Sequence, residues 1–363
     1  MKLRFDRILL GATVVQASVG LAVMASASWA IATVRYQRPG THFLSLQLVA
    51  ALIGLVAMVI CMHLRLELLT DSRIAGAAAG LSGLLLVGAL IQPAVANTHR
   101  WLSVGGLSIQ PSVAARVAMV LLAAATLPAI AQDGWRLRRS APIFLAAAVT
   151  AGLIVAEPDL GSAVLLVGVL VAMAFVAGMP LRLMAATLAT AAVALPLAIL
   201  ASPYRYHLER ILAFVFPDSA SAAAWQTRQS LIALGSGGLF GRGYGAGMQK
   251  LFFLPEPHTD FVYAITGEEL GLLGVLTLLL LIVMITWRGL RISWLQTQPQ
   301  RGLLAFGLTV AFATQALLHI AVCCGLLPPK GIPLPLVSYG KTDLVVSLAS
   351  LGLLLNLSRE VSA

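Results

Sequence analysis

Long apolar stretches alternate with short polar connections along almost the whole chain. Each stretch holds about 20 residues, the length that a helix needs to cross a hydrocarbon core of roughly 30 Å. The pattern therefore predicts an all-α polytopic membrane protein, with a single transmembrane domain over residues 1–363. Its ten predicted spans cover, in chain order, residues 8–33, 43–63, 74–92, 112–131, 141–156, 161–179, 183–202, 261–287, 302–325 and 342–358.

Composition and charge support this class and set the orientation. Hydrophobic residues make up 59% of the chain and charged residues only 10%, whereas a soluble domain has about 25% charged residues. With the N-terminus inside, the cytoplasmic connections receive just over half of the 24 basic residues but only about a third of the 14 acidic ones. Both termini are therefore predicted to be cytoplasmic. Topology explains the net charge of +10, and nucleic acid is not an expected partner.

The first apolar stretch has two interpretations. Lys2, Arg4 and Arg7 precede it, and the small residues Ala25–Ala27 resemble a signal-peptidase site, so a cleaved signal peptide is one of them. The stretch from Ile8 to about Val34 is long for a signal peptide, however, and further spans follow. We therefore favour an uncleaved first span.

Residues 203–260 form the one connection that is too long for a simple turn, and the topology places them outside the membrane. This large extracytoplasmic loop contains Trp225, Phe240 and Tyr244, so it is too aromatic for a disordered linker. We expect it to fold back onto the outer membrane surface. Its glycine-rich segment, residues 235–247, predicts either a flexible turn or a close backbone approach to a ligand.

Asp260 ends this loop, immediately before the eighth span. One interpretation is a helix N-cap, in which Thr259 or Asp260 binds the free backbone N–H groups of the first turn. The other is a carboxylate base at the membrane surface, with Lys250 and Arg242 close in sequence to bind anions. One residue can serve both purposes.

Further acidic residues interrupt the apolar pattern. Glu268 and Glu269 lie two turns further along the eighth span, either in the headgroup zone or in a polar cavity within the bundle. The motif EPDLG, Glu157–Gly161, divides residues 141–179, which are too many for one span, and Pro158 predicts a hairpin there. Its two carboxylates predict a cation site, a polar pocket or a solvated turn.

Polar residues also occur within and between the other spans. Arg116, inside the fourth span, needs a partner or a water-filled cavity. His319, inside the ninth, is either a buried hydrogen-bonded side chain or part of a polar site. The segment GIPLPLVSYG at 331–340 cannot form a regular helix, so it must pack against protein or line a cavity.

These segments, in this order, resemble the SEDS family (shape, elongation, division and sporulation), which includes FtsW, RodA and SpoVE. The match spans nearly the whole chain, and the run from LPEPHTDF to EELG is very specific. QKL before FLPE, GEELG and PPKGIPLPLVSYG look more like the division members than the elongation members. The matching segments are HRW…QPS at 99–112, EPDLG at 157–161, QS at 229–230, GSGG…G.G at 235–243, QKLFFLPEPHTDFVYAITGEELG at 249–271, QA at 315–316 and GLLPPKGIPLPLVSYG at 325–340.

The resemblance implies a peptidoglycan glycosyltransferase that polymerises lipid II at the outer face of the bacterial cytoplasmic (inner) membrane. It also implies a class B penicillin-binding transpeptidase and divisome proteins as partners, membrane lipids around the spans, and a place at the division septum. On the same basis Asp260 corresponds to the family's essential carboxylate and is the expected catalytic residue.

The residues suit this chemistry. A carboxylate can take the proton of the acceptor's 4-hydroxyl, and a lipid diphosphate leaves without a general acid, unlike the leaving group of a two-carboxylate glycosidase. Cations must stabilise the growing diphosphate charge, supplied by basic side chains or by a divalent cation, Mg or Mn; no other cofactor is expected. The expected substrate-binding residues are Arg100, Lys250, Arg210, Gln229, Ser230, Asp159, Glu268 and Ser338.

The chain departs from the family pattern at several places, among them Ala321, where the family usually has glycine. The family usually has QPSE followed by a lysine three residues later, where this chain has Val113 and Arg116, so an ion pair inside the membrane lacks its acid. After SYG the family has small residues, where this chain has Lys341–Asp343. His319 stands where the family usually has asparagine.

Two other functions stay open at this point. A flippase for the lipid-linked precursor is suggested by Arg116, His319 and Glu268, because transporters place charged groups at mid-membrane sites. A catalytically weak scaffold for the transpeptidase is suggested by Val113 and by the altered sequence after SYG. We favour the polymerase, since the matching residues concentrate on the outer side.

Overall fold

Helices dominate the structure, a computed structural model that describes residues 5–93, 99–105, 107–201, 206–216 and 221–361. In these residues the elements are, in chain order, α1 (Arg7–Ala30), α2 (His42–His63), α3 (Leu66–Leu69), α4 (Ser72–Ile91), β1 (Leu102–Val104), β2 (Leu107–Ile109), α5 (Pro111–Gln132), α6 (Leu137–Ala156), α7 (Leu160–Val176), α8 (Leu181–Ala201), α9 (Tyr206–Val215), α10 (Ala222–Ser236), α11 (Val262–Leu295), α12 (Pro299–Cys323) and α13 (Lys341–Val361). A π-helical turn, Ile31–Arg35, continues α1, and β1 and β2 form an antiparallel hairpin.

The apolar helices coincide with the ten predicted spans. Within the described chain, eight helices are long and apolar enough to cross a membrane, and α7 and α8 supply the shorter two. The predicted fold class is confirmed. The eighth span was predicted to end near residue 287, and helix α11 continues beyond that point to Leu295. Arg288, in this part of α11, pairs with Asp6, the N-cap residue of α1.

Small residues bring α13 and α2 close together. Gly352 of α13 lies so near α2 that a Cβ at this position would be 2.4 Å from the carbonyl oxygen of Met58. In the other direction, a Cβ at Gly54 of α2 would be 2.6 Å from Leu348 Cδ1. Close approach of this kind gives membrane helices their van der Waals contact. It also fixes the position of the first turn of α13, which carries Lys341–Asp343.

The described residues of the predicted extracytoplasmic loop, residues 203–260, are only partly irregular. Its described residues include α9, which is amphipathic, and α10, neither of which the sequence analysis predicted. α10 begins after Ser221, whose hydroxyl accepts a hydrogen bond from the Ala224 N–H at 3.2 Å and so caps the helix. α10 packs against α11, so the loop folds onto the helix bundle.

The glycine-rich segment of the loop completes a break in α11. The helix is interrupted at Gly271, where φ is +66° and ψ is −162°. The N–H of Leu272 donates to the Gly238 oxygen at 2.9 Å, and the N–H of Gly243 donates to the Glu269 oxygen at 3.0 Å. Loop backbone thus satisfies groups that the break releases, as a low-dielectric environment requires.

The contact between the loop backbone and α11 explains why glycine occupies positions 237 and 241. A Cβ at Gly237 would lie 1.9 Å from the Gly267 oxygen, and a Cβ at Gly241 would lie 2.1 Å from the Glu269 oxygen. No side chain fits at either distance, so only glycine lets the two backbones meet. The segment does make a close backbone approach, to α11, and an approach to a ligand stays a prediction.

The non-helical segment 331–340 packs against protein, as predicted. Side chains from α1, α2 and α12 donate hydrogen bonds to four of its carbonyl groups, which a helix would otherwise have satisfied. These bonds run from His319 Nδ1 to the Ile332 oxygen (2.7 Å), from Gln315 Nε2 to Pro333 (2.9 Å), from Gln16 Nε2 to Pro335 (3.1 Å) and from Gln47 Nε2 to Ser338 (3.1 Å).

Candidate functional site

A cavity of about 150 Å³ lies at the outer end of the bundle, where the start of α7, helix α9 and residues 328–332 meet. Its other lining residues are apolar or glycine, so the charge it carries comes from four side chains. Three cations and one carboxylate in so small a space favour an anionic ligand. The charged lining residues are Arg100, Asp159, Arg210 and Lys330.

Asp260 lies directly behind one wall of this cavity. The wall at that point is Gly331, and a Cβ there would be 3.2 Å from Asp260 Oδ2. Glycine therefore allows the wall segment to lie against the carboxylate. Burial raises the pKa of Asp260 to about 6, although the guanidinium groups of Arg210 and Arg100 act in the opposite direction.

The N-cap interpretation of Asp260 is wrong. The N-cap position of α11 is Phe261, and no side chain makes a capping hydrogen bond there. The backbone N–H of Asp260 donates to the Glu256 oxygen at 3.1 Å, within the turn that leads into the helix. The carboxylate is therefore not engaged by the first turn of α11 and faces Gly331.

Asp159, another lining residue of the cavity, is held by several hydrogen bonds. It is the N-cap of α7, and it accepts hydrogen bonds from the backbone N–H and the hydroxyl of Ser162 at 3.2 and 2.8 Å. Gln110 Nε2 donates to it at 3.3 Å, and Arg100 Nε lies 4.0 Å away. Arg100 also donates to the Pro158 oxygen. The turn EPDLG thus fixes both a carboxylate and a guanidinium group at the cavity.

Glu157, the other acid of this turn, is fully buried, so the solvated-turn interpretation is wrong. Neither of its carboxylate oxygens has a hydrogen-bond partner among the described residues. Burial, with a smaller effect of Asp159, raises the pKa of Glu157 to about 8. The side chain is therefore mostly protonated at neutral pH, which leaves the cations of the cavity in excess.

The cavity brings together Asp159, Arg100 and Arg210 of the predicted substrate-binding residues. It also contains Lys330, which the sequence did not lead us to predict. Arg210 Nη1 donates to the Pro329 oxygen at 2.9 Å, beside Lys330. Burial lowers the pKa of Lys330, with Asp159 acting in the opposite direction. The sequence signal that could have identified Lys330 is its position between prolines, in a segment that cannot be helical.

Two other predicted residues lie elsewhere. Lys250 is buried, and its Nζ lies 2.5 Å from Glu269 Oε1 and 2.7 Å from Ser26 Oγ. Glu268 is also buried and accepts hydrogen bonds from the backbone N–H groups of the loop, at 2.8 Å from Met248. Both therefore hold the loop on α11. The structure does not bring them to the cavity, and a role in substrate binding stays a prediction for each.

Gln229, Ser230 and Ser338 are buried in supporting positions. The hydroxyl of Ser230 donates to the Cys323 oxygen at 2.7 Å and so joins α10 to α12. The hydroxyl of Ser338 accepts a hydrogen bond from the Leu334 N–H at 2.9 Å, within segment 331–340. None of the three lines the cavity, so contact with substrate stays a prediction here too.

Two of the departures from the family pattern compensate for each other. Arg116 lies 3.7 Å from Asp343, measured from Nη2 to Oδ1, and both side chains are buried. The acid that is absent at Val113 is therefore supplied by α13. His319 is buried and hydrogen-bonded to segment 331–340, as one of its two interpretations predicted.

A bound metal finds little support among the residues described. None of the groups they form has the three or more His, Cys, Asp or Glu side chains that could hold a metal ion. Both oxygens of Asp159 already accept hydrogen bonds. The expected divalent cation stays a prediction, and the described side chains that make the cavity positive are Arg100, Arg210 and Lys330.

Known proteins share this architecture. The family model of FtsW, RodA and SpoVE, described as cell cycle protein, matches residues 7–363. The probable peptidoglycan glycosyltransferase FtsW of Trichlorobacter lovleyi is 36% identical over 361 residues, covering 98% of this chain and 93% of that protein.

Solved structures of other proteins have a similar fold. A chain from a structure described as showing coordination of polymerization and crosslinking by a peptidoglycan synthase complex has a TM-score of 0.79 at 25% identity, with 98% of each chain covered. The rod shape determining protein RodA of Thermus thermophilus has a TM-score of 0.71 at 25% identity, covering 99% of this chain and 98% of that one. With a family match that spans almost all of its residues, this chain belongs to the FtsW/RodA/SpoVE family of cell cycle proteins.

Proposed function

We propose that this protein is a peptidoglycan glycosyltransferase that polymerises lipid II at the outer face of the cytoplasmic membrane, in septal cell-wall synthesis. The observation that carries the proposal is the position of Asp260. Its carboxylate meets Gly331 in the wall of a cavity that Arg100, Arg210 and Lys330 make positive. A base beside an anion site is what transfer from a lipid diphosphate requires.

The proposed reaction is a single displacement. The 4-hydroxyl oxygen of the acceptor sugar bonds to the anomeric carbon of the donor, and the bond from that carbon to the diphosphate oxygen breaks. Asp260 takes the hydroxyl proton, which typically contributes 10²–10⁴-fold to the rate. The negative charge that grows on the leaving diphosphate is stabilised by Arg100, Arg210 and Lys330, and Asp159 holds Arg100 in place.

The similarity to a chain of a peptidoglycan synthase complex supports a partner. We propose a class B penicillin-binding transpeptidase, which would crosslink the strands that this protein polymerises, together with other divisome proteins. The lipid-facing sides of the spans supply the contact with membrane lipids.

The groups that suggested a flippase are engaged inside the protein. Arg116 pairs with Asp343, His319 binds the Ile332 carbonyl, and Glu268 binds loop backbone. None of the three lines the charged cavity. Their burial supports the polymerase over transport.

The full-length protein, purified with and without the transpeptidase, is expected to convert lipid II into glycan strands that a muramidase degrades. Gel analysis of labelled product measures this. Movement of labelled lipid II across vesicle membranes without polymer would assign a flippase instead. A stable complex with the transpeptidase that makes no glycan would assign a scaffold.

The polymerisation rate is expected to depend on pH through Asp260. Only the ionised carboxylate accepts a proton, so the rate should fall as the pH drops through about 6, the pKa of this group, and level off above it. Initial rates from about pH 5 to about pH 8 test this. Recovery of the rate on return to neutral pH separates titration from unfolding, and a rate that stays constant below pH 6 contradicts the assignment.

A further inference from the structure

Asp343 occupies a position where several parts of the structure meet. It lies in the first turn of α13, and its side chain is 6% exposed. Arg116 of α5 approaches to 3.7 Å, and its side chain is only 11% exposed. A buried guanidinium group without an acid is strongly unfavourable, so this pair is needed for the two helices to pack.

The Asp343 carboxylate is connected through Gln315 to the segment that forms part of the cavity wall. The side-chain amide of Gln315, on α12, donates to Asp343 Oδ1 at 2.9 Å and to the Pro333 oxygen at 2.9 Å. Both hydrogens of one NH₂ group are therefore used. Pro333 is two residues from Gly331, the residue that lies against Asp260.

Thr342, the residue before Asp343, is connected through Gln110 to Asp159 in the cavity wall. The hydroxyl of Thr342 accepts a hydrogen bond from the backbone N–H of Gln110 at 3.1 Å. The side chain of Gln110 in turn donates to Asp159 at 3.3 Å. Asp159 holds Arg100, so the first turn of α13 is joined to both sides of the cavity.

We infer that Asp343 is a positioning residue of the active site, which fixes segment 331–338 through Gln315 as well as balancing the charge of Arg116. The inference rests on the proposed function for its catalytic consequence. Its structural part, the control of segment 331–338, stands independently of the substrate. The competing interpretation is that Asp343 is only a counter-ion.

Position 113 provides a way to separate these two roles. Val113 and Arg116 are three residues apart on α5, so an acid at 113 would face the guanidinium group on the same side of the helix. Val113→Glu with Asp343→Asn keeps an oxygen acceptor for Gln315, whereas Val113→Glu with Asp343→Ala removes it. Both double variants supply the charge that Arg116 needs.

Hydrogen–deuterium exchange of the full-length protein without substrate is the first measurement. We expect backbone amides in 331–338 to exchange as in the wild type in the asparagine variant, and roughly 5-fold faster in the alanine variant, since one amide hydrogen bond contributes about 1 kcal/mol. The rate of lipid II polymerisation should change in the same order, with the alanine variant roughly 5-fold slower than the asparagine variant. Equal exchange and equal rates in the two variants would reduce Asp343 to a counter-ion and overturn the inference.

A further variant covers the case in which glutamate at 113 prevents folding. Gln315→Met leaves the Arg116–Asp343 pair intact and removes both hydrogen bonds of the Gln315 amide, to Asp343 and to Pro333. It should also accelerate exchange in 331–338, and unchanged exchange would overturn the inference. A wild-type protein that makes no glycan, with exchange patterns as expected, would instead remove the proposed function alone.

Discussion

Replacing Asp260 by asparagine is expected to reduce glycan formation by 10²–10⁴-fold while leaving the protein folded. Asparagine has nearly the same shape but cannot take the acceptor proton. Stability should not fall, because the pKa of Asp260 is raised in the folded protein, which means that folding favours the neutral form. Polymerisation of labelled lipid II measures the rate, and thermal unfolding by intrinsic fluorescence measures the fold.

The matched control is Glu256→Gln in the same turn. Glu256 pairs with Arg35 at 3.3 Å, but both side chains are well exposed, so the pair contributes little. Removing its charge should lower the pKa of Asp260 slightly and leave the plateau rate within a few-fold of wild type. Undiminished polymerisation by Asp260→Asn would show that another group is the base.

The sequence predicts those features that depend on neighbouring residues. The spans follow from runs of apolar residues, and Asp260 stands out because it closes a polar loop against a span. Lys330 carries no comparable local signal, since one lysine in a proline-rich turn is common on any surface. Only the folded segment, with Gly331 against Asp260, shows that this lysine reaches the cavity.

Pairings across the bundle could not be predicted, because apolar periodicity does not encode which helices are neighbours. Glu269 meets Ser26, 243 positions earlier in the chain. Arg116 finds its acid at Asp343, on the last span. From the sequence the missing acid and the altered residues after SYG look like two separate losses, yet the fold joins them into one ion pair.

Replacing Lys250 by methionine is expected to destabilise the protein by about 3–5 kcal/mol, because Glu269 would then be a buried carboxylate without its cation. The apparent melting temperature and the yield of monodisperse protein measure this. Methionine retains most of the apolar stem, so the loss reports on the charge. Arg35→Met is the matched control, since it breaks an exposed ion pair with Glu256 and should cost less than about 1 kcal/mol.

A second change distinguishes the ion pair from a substrate contact. In Lys250→Met with Glu269→Gln the buried charge is absent, and the glutamine can still accept the hydrogen bond that the Gly245 N–H makes to Glu269 at 3.0 Å. If Lys250 serves only to neutralise Glu269, this double variant regains both stability and polymerisation, to within about 1–2 kcal/mol in stability. If Lys250 binds the lipid diphosphate, the double variant folds but stays slow, because no partner restores the lost cation. Lys250 is buried in contact with Glu269 and Ser26 and does not line the cavity that holds the other cations, which favours the first result.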